Sequence, residues 1–165
     1  NMNNSASDGA TYGKLYNWYA VMDSRGLAPK GWHIPSKTEW EQLMTYLGGL
    51  DLAGTKIKSD TGWDYQGTEY TNFIGPGLNG TNESGFSALP GGYRNEWVND
   101  GTYWGSYNGF FYPRNCGNWW STTMIYNDWW PEYSYYFCWI FANDYKVHID
   151  KYPATSGFSV RCIKD

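Results

Sequence analysis

With 165 residues the chain is sized for a single domain, long enough to bury about 70 % of the surface its unfolded form exposes. A formal net charge of −4 without any basic cluster excludes the electrostatic footprint of a nucleic-acid binder, and no apolar run approaches the roughly 20 residues that cross a bilayer. Charged residues make up only 17 %, whereas aromatics reach 21 %, with 11 Trp, 16 Tyr and 20 Gly.

Few charges, many turn residues and many flat amphipathic rings are the composition of a loop-rich surface binder, because Tyr and Trp give large contact area at low entropic cost. The competing explanation is a β-rich core with unusually many rings. Three cysteines, Cys116, Cys138 and Cys162, leave at least one thiol unpaired, and none stands in a C-x-x-C pair. One disulfide with one thiol, or three thiols, both satisfy that count.

Residues 1–11 are small and polar and read as a flexible lead-in to one domain spanning 12–165. The start, Asn1-Met2-Asn3-Asn4, carries no signal peptide and reads as an excised fragment. Asn17 is placed to cap a short helix, and Asp23–Gly31 is a turn region. Ser36 and Glu39 stand in capping-box spacing, and Trp40, Leu43, Met44 and Leu47 recur at helical spacing before Gly48-Gly49. This predicts a helix over Lys37–Leu47. From residue 50 onward, short runs alternate with Gly, Asn, Asp and Pro and show no second helical period. Strands are expected at Gly85–Leu89, Trp119–Thr123, Tyr135–Ala142 and, centrally, Phe158–Lys164, with long loops at 60–84 and 95–118. The class is α+β, with one or two short helices packed on a twisted antiparallel sheet.

Chemistry-bearing residues are sparse. His33, just ahead of the capped helix, reads as a hydrogen-bonded structural group, and a lone His148 cannot build a metal site. No G-x-S-x-G elbow, phosphate loop or H-E-x-x-H occurs. Asp60, Asp64, Asn99 and Asp100 could offer calcium oxygens, but turns use the same residues. No catalytic residue, metal or cofactor is expected. The rings are distinctive in their placing: Tyr93–Tyr145 holds 20 of the 34 aromatics, interleaved with Asn, Asp, Ser and Gly. Such surfaces suit proteins and also sugars, whose apolar faces stack on rings while amides bond their hydroxyls.

Several blocks follow in a fixed order: Tyr12-Gly-Lys-Leu-Tyr-Asn-Trp-Tyr-Ala-Val21, Ala28-Pro-Lys-Gly-Trp-His-Ile-Pro35 with Glu39-Trp40, Leu47-Gly-Gly49, and Ala53-Gly54. Next come Gly85-Phe-Ser-Ala-Leu-Pro-Gly-Gly-Tyr-Arg94, Trp119-Trp-Ser-Thr122 and Gly157-Phe-Ser-Val-Arg-Cys-Ile-Lys-Asp165. From Tyr12 onward the chain resembles the Fibrobacter succinogenes major paralogous domain family. The resemblance implies a fold related to C-type lectins and formylglycine-generating enzymes, on surface or secreted proteins, often lipoproteins, of Bacteroidetes-type bacteria. Two departures stand out. The family's opening strand around G-x-Q-x-W-M-x-x-N-L is missing, and Ala28-Pro29 replaces a Cys-Pro, so no disulfide from there to Cys162 exists.

Some members of the family are targets of diversity-generating retroelements, which rewrite the tail of the domain. The resemblance therefore implies a changeable face within residues 95–152. Candidate ligand-binding residues are Trp97, Tyr103, Trp104, Tyr112, Asn115, Asn118, Asn127, Trp129, Trp130, Tyr133, Trp139, Phe141 and His148. On Tyr135–Ala142, alternation separates Tyr135, Phe137, Trp139 and Phe141 from Tyr136, Cys138, Ile140 and Ala142. Pattern alone buries the all-aromatic set. The resemblance makes Tyr136 and Ile140 frame and exposes Trp139 and Phe141, with small Cys138 and Ala142 against a helix layer. The expected function is an extracellular or cell-surface module binding a surface glycan or protein, possessing no nucleic-acid partner and forming part of a larger surface protein or fibre. Next comes a structural tip or adhesin domain of a pilus or phage tail fibre. Least expected is an enzyme of the formylglycine-generating kind, whose copper-binding cysteine pair does not map onto Cys116, Cys138 or Cys162. If a bridge forms, Cys116–Cys138 is the expected one.

Overall fold

The capping box forms as its spacing predicts. Ser36 accepts from the Glu39 amide, and the Glu39 carboxylate accepts from the Ser36 N–H at 2.8 Å. The computed structural model describes residues 6–64, 79–95, 106–107, 109–127 and 132–165, with backbone alone at 106, 107, 127, 132 and 133. Among these, the helices are α1 (Ala6–Tyr12), α2 (Trp18–Val21), α3 (Lys37–Tyr46) and α4 (Leu50–Ile57). The strands are β1 (Trp32–His33), β2 (Tyr93–Arg94), β3 (Ser106–Tyr107), β4 (Phe110–Phe111), β5 (Cys116–Asn127), β6 (Glu132–Phe141), β7 (His148–Tyr152) and β8 (Ile163–Lys164). They form three antiparallel sheets, ordered β5-β6-β7, β2-β4-β3 and β1-β8. Mixed helix and antiparallel sheet is the expected α+β class.

Several expectations change. The lead-in is helical from Ala6, where the Thr11 hydroxyl bonds the Ser7 carbonyl at 3.0 Å. Residues 1–5 lie outside the described residues. Asn17 caps α2 as expected, accepting from the Ala20 amide at 3.0 Å. α4 went unpredicted because the sequence from residue 50 onward shows no second helical period, and it contains Gly54. It is there because the helix meets the chain at Tyr145: a Cβ on Gly54 would lie 2.3 Å from the Tyr145 carbonyl oxygen, and the Gly54 N–H donates to that oxygen at 2.9 Å. Gly85–Leu89 makes one isolated bridge, Ala88 to Lys58.

Phe158–Lys164 is not the central strand. Its start pairs one residue at a time with different segments (Phe158 with Tyr16, Ser159 with Trp119), so no ladder builds until Ile163. The central strand is β6. Its residues Cys138 and Ile140, with Ala142 just past its end, are fully buried among Trp40 and Met44 of α3, Ala53 and Ile57 of α4, and Trp119. This is the close packing of small residues against helices that the resemblance implied. On the other face, Tyr135 and Phe137 join Trp18, Trp120 and Phe158 in a second core cluster. Each core therefore needs the other's strand.

All three cysteines are free, and the Cys116–Cys138 bridge is corrected by the register. Cys116 pairs with Phe141 and Trp119 with Cys138, so the two thiols leave opposite faces of the sheet. His33 ties the frame together, with Nδ1 on Asp165 at 2.7 Å and Nε2 on Glu39 at 2.8 Å. These carboxylates, Asp165 first, raise its pKa.

Two predictions follow from α4. Gly to Ala inside a helix normally stabilises by about 1 kcal/mol. Gly54→Ala should instead lower the melting temperature, because the new methyl meets a backbone oxygen. An unchanged or higher value would refute the close approach. Lys58, 1 % exposed, donates to the Ala142 and Asp144 carbonyls at 2.8 and 2.7 Å and lies 4.8 Å from the Trp63 ring centre. Burial lowers its pKa to about 8, against about 10.4 in an unfolded chain. Between those values the unfolded chain binds a proton that the folded one does not, so this group makes stability rise with pH. The gain is on the order of 3 kcal/mol. Denaturant titrations at pH 7 and pH 10 should show the difference between wild type and Lys58→Met shifting by that order in favour of wild type. A pH-independent difference would show that Lys58 is not held as described.

Candidate functional site

Cross-strand partners in an antiparallel pair share a face, and the β5–β6 register sets Asn118 beside Trp139, Cys116 beside Phe141, and Trp120 beside Phe137. β7 adds His148 beside Trp139 and Asp150 beside Phe137. Near the Trp120 and Phe137 end this face is closed by the second core cluster. Towards Trp139 and Phe141 it opens into a recess of about 260 Å³, reached also by Asn118, Tyr93 and Tyr152. That volume lies just below the usual range for small-molecule sites.

Each ring in the recess is held by others. Trp139 stacks on His148 with centroids 4.1 Å apart and planes 16° apart, and meets Phe141 edge-on at 5.2 Å. His148 Nε2 is 2.8 Å from Asp144 Oδ2, which fixes the imidazole beneath the indole. Phe141 meets Tyr112 edge-on at 5.6 Å. Tyr112 has φ of +50°, the left-handed region that side chains seldom adopt, in the turn leading into β5. Tyr93 stacks on Phe111 at 5.1 Å and meets Tyr152 and Phe158 edge-on. Burial, reinforced by Tyr152, pushes the Tyr93 phenol far up, so it stays a neutral hydroxyl. Gly92 lets β4 approach here, since a Cβ would lie 2.4 Å from the Phe111 oxygen.

The polar groups at depth are few. Asn118 is 4 % exposed, and its Nδ2 donates to Cys116 Sγ at 3.1 Å and the Gly92 carbonyl at 3.4 Å. Those two bonds orient the amide, and no hydrogen bond to its Oδ1 occurs among the described residues. Burial pushes the Cys116 thiol up to about 12, so it is a thiol and not a nucleophilic thiolate. Trp139 Nε1 is buried without a hydrogen-bond partner among the described residues. The recess thus has aromatic walls, an oriented amide and an exposed rim of Asp150 and Lys151, where the Asp150 carboxylate accepts only its neighbour's amide at 2.8 Å among the described residues. It suits non-covalent capture of a partly apolar, partly hydroxylated or amide-bearing group.

The thirteen sequence candidates separate. Asn118, Trp139 and Phe141 meet in the recess, with His148 and Tyr112 bracing it. Trp139 and Phe141 are half-buried, which corrects the expected open platform to a concave site. Asn115 is buried in the turn before β5, where its carbonyl accepts from the Ala142 amide at 2.7 Å. Asn127 and Tyr133 stand at the far end of the β5–β6 hairpin, and Tyr133 is about 20 Å along β6 from Trp139. Beside them Met124, Ile125 and Tyr126 are exposed. Trp97, Tyr103, Trp104, Trp129 and Trp130 lie outside the described residues. Sequence reasoning missed Tyr93, Asp150 and Tyr152. The alternation of His148, Asp150 and Tyr152 was a usable signal, but it needs the β6–β7 register to place it.

No curated protein and no solved structure matches the chain. The family model for the Fibrobacter succinogenes major domain matches residues 1–164, the same family that the ordered blocks from Tyr12 to Asp165 resemble. The chain therefore belongs to the Fibrobacter succinogenes major domain family.

Proposed function

We propose that this domain is a ligand-binding module of C-type-lectin-like architecture that works outside the cytoplasm, with the Trp139 recess as its binding site. The observation that carries this reading is the meeting of Asn118, Trp139 and Phe141 in one concave, ring-walled site, backed by the fully buried Cys138 and Ile140 on the opposite face of β6. A rigid scaffold with pre-oriented rings loses little entropy when it captures a ligand. The partner is a glycan or a protein on another surface. The cysteines favour binding over oxidative catalysis: Cys116 and Cys138 leave opposite faces of the sheet, so they cannot share a metal as a pair without refolding.

Melting curves and binding to printed glycan and surface-protein arrays test the reading together. Ile140→Ala, at a fully buried position, should cost about 2–5 kcal/mol. Trp139→Ala should cost less and leave a folded domain that loses array binding, as should Phe141→Ala. If Trp139→Ala unfolds the domain and Ile140→Ala does not, the two faces have been assigned the wrong way round. If folded Trp139→Ala and Phe141→Ala proteins keep every array signal of the wild type, the recess is not the binding site.

A further inference from the structure

A larger groove, of about 950 Å³, lies away from the recess between α3 and the C-terminal segment, with Trp32, Leu43, Tyr46, Phe86 and residues 160–163 on its walls. Two of its rings reach solvent, Trp32 at 44 % and Tyr46 at 88 % exposure. Its C-terminal wall is extended chain with an open edge. The Asp165 N–H donates to the Gly31 carbonyl at 3.1 Å, and Ile163 pairs with His33, so these two residues direct their backbone groups at β1. Alternation then directs the N–H and C=O of Cys162 and Lys164 at the opposite edge. No strand pairs there among the described residues, and Val160, Arg161 and Cys162 make no backbone–backbone hydrogen bond among them.

The charges say what kind of strand fits. Arg161 lies 4.8 Å from the Phe86 ring centre and donates to the Phe86 carbonyl. Neither Arg161 nor Lys164 has an ion pair among the described residues, whereas the one carboxylate lining the groove among them, Glu39, is taken up by His33 and the Ser36 amide. A second copy of β8 would bring cations against cations. An acidic strand would neutralise them, while apolar side chains at every second position would enter the groove.

We propose that this groove docks an extended strand of a partner protein. The strand pairs with the open edge of β8 at Cys162 and Lys164, seats alternate apolar side chains among Trp32, Leu43 and Phe86, and brings a carboxylate to Arg161. This site is separate from the Trp139 recess and does not depend on it.

Panning a displayed random octapeptide library on the intact chain tests the proposal. Enriched peptides should alternate apolar with polar residues and carry at least one Asp or Glu. Synthetic copies should bind Cys162→Val as they bind wild type and lose about tenfold affinity for Arg161→Glu. They should fail on Cys162→Pro, which lacks the edge N–H. Because that proline could unfold the domain, hydrogen exchange on the wild type gives an independent reading: bound peptide should slow the Cys162 and Lys164 amides. Helical spacing in the enriched peptides, no enrichment over bare beads, or unchanged exchange at both amides overturns it. So does concentration-dependent dimerisation in sedimentation that Arg161→Glu abolishes, which would make the occupant a second copy.

Discussion

β6 has to serve two layers at once, and most of the architecture follows from that constraint. One face of the strand must be small enough for α3 and α4 to sit close, and Cys138, Ile140 and Ala142 meet that need with full burial. The other face carries rings, and those rings are covered along only part of its length. Phe137 is closed in by Trp120 and Phe158, at centroid distances of 6.3 and 4.6 Å. Trp139 and Phe141, one and two steps further along that face, are left half-covered. The site exists because the second core ends before the strand does.

The helix layer also supports that site from behind. α4 approaches the chain after β6 closely enough for Gly54 to bond Tyr145, and Lys58, just past the helix, binds the Ala142 and Asp144 carbonyls. Asp144 in turn holds His148, and His148 stacks beneath Trp139. A buried ammonium is expensive to desolvate, which is why its pKa falls. Here it satisfies two carbonyls at a chain reversal that no strand partner reaches. Contacts through Lys58, Asp144 and His148 thus link the α4 end to the orientation of one recess ring.

The abundance of aromatics has two explanations, and both apply. Trp40, Trp63, Trp119 and Trp120 are core, each at 3 % exposure or less. Trp40 and Trp63 donate to the Trp120 and Ala88 carbonyls, so an indole there fills volume and also adds a hydrogen bond to the backbone. Trp32 and Tyr46 remain in solvent on the groove, and Tyr126 on the hairpin. A sheet assembled from short, irregular pieces leaves many carbonyls to be met by side chains, and Trp does this without giving up apolar area.

Local rules and ordered blocks made part of this protein legible from its sequence. The capping box of Ser36 and Glu39, the Asn17 cap and the alternation of β6 depend on neighbours a few residues away, and all three appear as read. The family was recognisable from blocks spread over nearly the whole chain. What failed locally was decided at long range. The helix around Gly54 was not legible, since the Tyr145 carbonyl that Gly54 accommodates lies 91 residues further on. Alternation separated the two faces of β6, but not which of their rings stay half-covered, since Trp120 and Phe158 close only one end. Tyr93, Asp150 and Tyr152 reach the recess from β2 and β7. By itself the sequence determined the capped helices, the two-faced strand and the family. Only the tertiary structure decided that Cys116 and Cys138 stand back to back and that Asn118 meets Trp139, because cross-strand register, which no residue encodes alone, sets both.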